Sequence, residues 1–279
     1  MRWVGGLSAV ALRLASGCSS TPLSQARAGS GDISVTLLRN ADQSGQITGT
    51  TYDLNAVLRF GPSYVTAHHC SVIPTGPACA VTVCSTAPLP VDDVLSAPLD
   101  AGTLSLSVNG EPVAVSNFGP VLAGAASTYS TGVGASSHVG GGEELSVHGS
   151  GGVDLPAFST GSLFAPAPVE VTEPACPQGQ CQASIAQGFP VVWTGGTPGT
   201  VQVSISAQGK DSLAAISCLY DSASGSATIP SDALALLPKS VLGAIGVSST
   251  VESYFQLAQL DTTYEVSQLG LSATILIAP

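Results

Sequence analysis

Charge is the scarcest commodity in this 279-residue chain: charged residues make up 9% of it, and 7 Lys and Arg stand against 18 Asp and Glu. Nucleic-acid binding needs clustered cations that displace phosphate counterions, and so few scattered ones exclude it. The same shortage removes any basic patch for anionic lipid. Aromatic residues are 5% of the chain and form no cluster. Helix-favouring runs of Glu, Lys, Arg and Gln are missing, and no apolar run reaches the roughly 18 residues a membrane-spanning helix needs. No GxSxG nucleophile elbow, no phosphate-binding glycine loop opening a helix and no cofactor motif is present, so no cofactor is expected.

The chain has β-branched residues at period two instead. Runs such as "ISVTLL" from Ile33, "YDLNAVLRF" from Tyr52, "YVTAHHCSV" from Tyr64, "CAVTVC" from Cys79 and "GTLSLSV" from Gly102 read as strands. The second half continues with "FPVVWT" from Phe189, "TVQVSIS" from Thr200, "AAISCLY" from Ala214, "GSATI" from Gly225 and "LSATILIAP" at the end. Turn residues bound each run, which predicts an all-β protein built from β-sandwich domains of immunoglobulin or fibronectin-III type. Helix is confined to "SDALALLP", with Ser231 as N-cap and a proline stop, while "STVESYFQLAQL" from Ser249 fits helix or strand and loop. The four prolines of "FAPAPVEVTEPACPQGQC" from Phe164 suit a linker or an extended crossover, so one sandwich is expected at 31–164 and a second at 165–279. The glycine-rich "STGVGASSHVGGGEE" from Ser130 reads as a loop.

At the start, "MRWVGGLSAVALRLASGC" runs from one arginine through an apolar stretch to small residues before Cys18, the order of an export signal. "LASGC" resembles the lipobox of bacterial lipoproteins. The resemblance implies cleavage after residue 17, an acylated Cys18 as the first mature residue, and a membrane held through the acyl anchor. Ser19 after that cysteine is consistent with transfer to an outer membrane. The other reading is an ordinary secretory signal cut near "ARA", residues 26–28. In the lipoprotein reading, loss of Arg2 and Arg13 takes the basic residues from seven to five against 18 acidic ones, a mature net charge near −13. Residues 18–30 then form a flexible tether.

Besides Cys18, six cysteines remain: Cys70, Cys79, Cys84, Cys176, Cys181 and Cys218. An even number in an exported chain points to bridges. The tight "CPQGQC" loop favours Cys176 with Cys181, and the "PTGP" hairpin favours Cys70 with either Cys79 or Cys84. Three cysteines fall in each half, so three bridges require at least one between the halves.

The lipobox-like start, the cysteine hairpin, "GSGGVDLPAF" and "VVWTGG…ISCLYDSASGSATIP" together are similar to a loose group of uncharacterised bacterial envelope lipoproteins. That resemblance implies architecture and address, with no assigned chemistry.

Two stretches also resemble trypsin-type serine proteases. "TAHHC" at 66–70 would place His69 as base, and "HGSGG" at 148–152 would place Ser150 as nucleophile, with Asp92, Asp93 or Asp100 as the orienting carboxylate. The departures are several. His68 replaces an alanine, and Gly149 stands where that family has aspartate. Only 81 residues separate residue 69 from residue 150, room for about eight strands at roughly 8–12 residues each, too few to complete two barrels in the usual order. The expectation is therefore no enzyme, and no metal: His68, His69 and Cys70, alone or with His138 or His148, suit one ion poorly because adjacent strand residues face opposite ways. "DD" at 92–93 offers hard oxygens for calcium, although solvated acidic loops explain it as well. Trp193 is expected to plug the core of the C-terminal sandwich opposite Cys218, the alternative being a stacking platform for sugar rings. The function expected is presentation of sandwich loops and edges to a protein or glycan partner.

Overall fold

The computed structural model describes residues 29–41, 47–60, 70–85, 99–117, 119–120, 127–135, 140–196, 199–239 and 242–278. Eighteen strands are described: β1 (Gly29–Ala41), β2 (Ile47–Phe60), β3 (Ser71–Pro74), β4 (Cys79–Ser85), β5 (Thr103–Val108), β6 (Glu111–Asn117), β7 (Gly119–Pro120), β8 (Ser127–Ala135) and β9 (Glu144–Gly149) come first. They are followed by β10 (Phe158–Phe164), β11 (Val169–Glu173), β12 (Gln180–Ser184), β13 (Phe189–Gly195), β14 (Thr200–Gln208), β15 (Ser212–Asp221), β16 (Ser226–Ile229), β17 (Leu242–Leu257) and β18 (Leu260–Ala278). One α-helix is described, α1 (Ser231–Ala235). No described helix is long and apolar enough to cross a membrane. The protein is all-β and sandwich-like.

An 11-stranded sheet runs in the order β3-β4-β15-β14-β17-β18-β1-β2-β8-β7, with β12 joining β18 beyond the end of β1. Two smaller sheets, β10-β9-β5-β6 and β11-β13-β16, pack on it. Alternation explains how. In β14, Val201, Val203, Ile205 and Ala207 point into a core while Gln202, Ser204 and Ser206 point away. In β1, Ile33, Val35 and Leu37 point into a second core with Tyr52, Leu54, Ala56 and Leu58 of β2. Along β17, Ile245 and Val247 belong to the first core, while Val251, Phe255 and Leu257 line the second. All five share one parity on an unbroken strand, so both small sheets lie on the same face of the long one.

A crossover at residues 165–168 carries the chain from one small sheet to the other, and two features of the long hairpin receive it. Ser249 Oγ donates to the Ala167 carbonyl at 2.7 Å. Gly270 is the extra residue where the β17–β18 register slips, and a Cβ there would stand 2.3 Å from the Val169 carbonyl oxygen. Only glycine allows that approach. Neither core is drawn from one side of residue 165 alone. Cys79 and Val81 join the first, and Leu257, Leu260, Tyr264 and Val266 join the second.

Two readings of local structure change, and one left open is decided. Residues 130–135 of the glycine-rich stretch form strand β8, because β2 is long enough to offer a further edge, and Gly132 and Gly134 lie opposite Asp53 and Thr51 there. Residues 249–257 are strand, with Val251, Phe255 and Leu257 at period two. The helix from Ser231 has Pro230, not Ser231, at its N-cap, and Asp232 supplies the side-chain acceptor for the Ala233 N–H at 2.9 Å.

Candidate functional site

The six cysteines form three bridges: Cys70–Cys84, Cys79–Cys218 and Cys176–Cys181. The choice left open for Cys70 follows from strand parity. The β3–β4 register sets Ser71 opposite Val83, which brings Cys70 to Cys84 across the hairpin. Cys79, five residues earlier on β4, points to the other face, into the first core. There it meets its directly registered partner on β15, Cys218. That bridge joins positions 139 residues apart, one from each half. Cys18 lies outside the described residues.

Of the protease-like and metal-ligand candidates, His68, His69, Asp92, Asp93 and His138 lie outside the described residues. Ser150 is described, and its hydroxyl has local partners. Ser150 Oγ accepts the Thr103 N–H at 2.8 Å and donates to the Gly151 carbonyl at 3.4 Å, while the Ser150 N–H donates to the Thr103 carbonyl at 2.9 Å. The serine thereby clasps the start of β5 to the end of β9. Asp100 extends the clasp: its Oδ1 accepts the Gly102 N–H at 2.6 Å, and its own N–H donates to Asp154 Oδ2 at 2.8 Å. Leu155, buried in the second core, donates its N–H to the Asp100 carbonyl at 3.1 Å.

Tyr129 closes the same cluster from β8. Its hydroxyl accepts the Ala101 N–H at 2.7 Å and donates toward Asp100 Oδ1 at 3.5 Å. Burial pushes this hydroxyl up to about 12, the Ala101 N–H pulls against that, and the carboxylates of Asp100 and Asp154 add to the rise. The phenol therefore stays protonated and remains a donor. "GSGGVDLPAF" is thus a turn in which glycines let two loops touch. Gly102 has φ +77°, and a Cβ there would stand 2.2 Å from the Gly151 carbonyl oxygen; one on Gly152 would stand 2.4 Å from the Gly102 nitrogen.

This arrangement makes opposite demands on hydroxyl and glycine. Gly102→Ala is expected to cost about 2–4 kcal/mol through left-handed backbone strain and the carbonyl clash. Ser150→Ala should cost about 1 kcal/mol, the net worth of one hydrogen bond. Urea midpoints of both variants against the parent check the order.

His148 lies on the outer face of the four-stranded sheet, with Nε2 3.1 Å from Ser146 Oγ. Among the described residues, no group of three or more His, Cys, Asp or Glu could hold a metal ion. Trp193 is 2% exposed and shares the first core with Cys218. Its Nε1 donates to the Ser222 carbonyl at 2.9 Å, and its ring lies 6.3 Å from that of Tyr220. Packed this way, the indole is almost wholly buried and serves the core. Above it, an open depression of about 1130 Å³ is bounded by Gly195, Gly196, Gly199, Leu219, Tyr220 and Asp221 at one end of the first core. Sequence reasoning did not single out this end; the close spacing of glycines after "VVWT" was the available signal. Compared with known proteins, the chain matches no protein-family model and no curated protein.

Proposed function

We propose that this chain is a lipid-anchored envelope protein, acylated on Cys18, that works by presenting sandwich loops and edges to a protein or glycan partner and not by catalysis. The observation that carries the reading is the set of three bridges in an all-β chain, one of them tying segments 139 residues apart. Such bridges persist in oxidising compartments and fit an exported protein. The partner-binding part draws support from the open depression between residues 195 and 225, at the kind of sandwich end where loops commonly carry recognition. Against catalysis stands the structural engagement of Ser150 with Thr103.

The expectation of two immunoglobulin- or fibronectin-III-like domains enters this proposal in altered form, as two sandwich units that share β17 and β18. An outer-membrane address follows the lipobox resemblance and Ser19. Palmitate labelling of the full chain in a bacterial host tests the anchor. Label on the mature protein and its loss in Cys18→Ser are expected. An unlabelled mature chain beginning after residue 28 would overturn the anchor. Fluorophosphonate labelling abolished by Ser150→Ala would overturn the non-catalytic part in favour of a hydrolase centred on His69 and Ser150.

A further inference from the structure

A β-sheet edge invites another strand unless something blunts it, and proteins blunt edges with short strands, prolines, bulges or inward charges. Most edges of this fold carry such a device. β3 has four residues and ends in Pro74, β7 has two and ends in Pro120, β6 carries Pro112, and β16 has four residues. β10 has a register shift between Ser159 and Ser162, and β11 has one between Val171 and Glu173.

The far half of β17 differs. β14 accompanies β17 only as far as Thr250, yet β17 continues to Leu257. Among the described strands, none takes the place of β14 beside residues 251–257. This stretch, "VESYFQL", has seven residues, no proline and no lysine, and its register with β18 is unshifted. Val251 and Phe255 face the second core, where Phe255 stacks on Phe158 at 6.3 Å. Glu252, Tyr254 and Gln256 stand on the outer face and are exposed, Tyr254 at 63%.

We propose that this edge pairs antiparallel with the same edge of a second copy, about a two-fold axis passing at Tyr254. The stretch is complementary to itself in that register. Val251 of one copy faces Leu257 of the other, and Ser253 faces Phe255, all on the side of the core. On the outer side Glu252 faces Gln256, a carboxylate opposite an amide donor. A register centred on Glu252 would instead set two like charges directly opposite, which is unfavourable. The chosen register also keeps inner faces aligned, so both long sheets join into one with the small sheets on a single side. This inference does not depend on the acyl anchor.

Sedimentation velocity of the full chain over roughly 1–500 µM should show a monomer–dimer equilibrium. Because each copy carries a net charge of −11, the equilibrium should tighten as salt rises. Gln256→Glu places a second carboxylate opposite Glu252 at two symmetric points and should weaken the dimer up to about tenfold. Adding Glu252→Lys sets an ammonium opposite each new carboxylate and should restore it. Tyr254→Cys should oxidise to a covalent dimer on a non-reducing gel, whereas Thr263→Cys, one strand inward on the same face, should not. Gln256→Glu also gives up the bond from Gln256 Nε2 to Asp261 Oδ1 at 3.3 Å and faces that carboxylate across the β17–β18 hairpin, so monomer stability of both charge variants is measured by urea unfolding, and the double variant, which shares that loss, must still dimerise more tightly than Gln256→Glu alone. A chain that stays monomeric over the whole range overturns the proposal, even if it captures an extended segment of another protein. So does a dimer indifferent to the charge exchange, or one in which Tyr254→Cys fails to cross-link.

Discussion

Replacing Cys79 and Cys218 together by alanine should lower the stability of the protein by about 4–5 kcal/mol and its melting temperature by roughly 10–20 °C. The bridge closes a loop of 139 residues in sequence, and the entropy withheld from the unfolded chain grows with the logarithm of loop length. Cys176–Cys181 spans only 5, so its removal should cost about 2 kcal/mol on the same reasoning. Both sulfurs of the longer bridge are also core atoms, Cys79 at 6% and Cys218 at 0% exposure. The strand it fastens matters too. Among the described strands, β4 reaches the long sheet only through β15, and β3 only through β4. Thermal melts of the two double variants, run without reductant, should separate clearly, and equal losses would contradict the loop-length account.

Trp193→Ala should cost about 3–5 kcal/mol, because truncating a buried tryptophan removes its packing and leaves a cavity. Part of the loss has a different origin: the Ser222 carbonyl loses the Nε1–H that donates to it at 2.9 Å. Trp193→Phe keeps most of the packing and forfeits that donor, so it should cost about 1–3 kcal/mol. The difference between the two variants reports what the ring fills beyond a phenyl group. Trp3 lies within the expected leader, so in the mature chain Trp193 would dominate the fluorescence. Its emission should be blue-shifted and resistant to iodide, and quenching as ready as that of free tryptophan would contradict its burial.

Local signals in the sequence carried the strands well and their partners poorly. Period-two alternation in "TVQVSIS" and "ISVTLL" reflects a face that must be buried, whatever buries it, and β14 and β1 follow it. The Cys176–Cys181 bridge was legible because a five-residue separation leaves few alternatives. Cys70 stayed ambiguous although the answer was within reach: Cys79 and Cys84 stand at odd separation on one strand and therefore face opposite ways. Cys218 was not legible as the partner of Cys79, because their meeting depends on β4 and β15 lying side by side, a pairing no local residue encodes. The same holds for the strand character of residues 130–135, where glycines suggest a loop until β2 supplies an edge. The sharing of β17 and β18 between two cores was hidden for a similar reason. Proline-rich composition after Phe164 marks the crossover, and what the crossover spans is set by Ser249 and Gly270, about a hundred residues downstream.

The Ser-Gly-Gly fragment shows how a short pattern can serve backbone needs. Ser-Gly-Gly at 150–152 is required where the β9 turn meets the loop before β5, because the clasp of Ser150 to Thr103 brings two backbones into contact. His148 bonds within its own strand, to Ser146, on an exposed sheet face.

Peptide mapping of the unreduced protein, expressed as the full chain in a bacterial host with thiols blocked at lysis, tests the proposal of an exported, bridge-fastened β fold most directly. The result predicted is three linked pairs, Cys70 with Cys84, Cys79 with Cys218 and Cys176 with Cys181, and no blocked thiol among these six. A linkage of Cys70 to Cys79, or recovery of the six as blocked thiols, would contradict it.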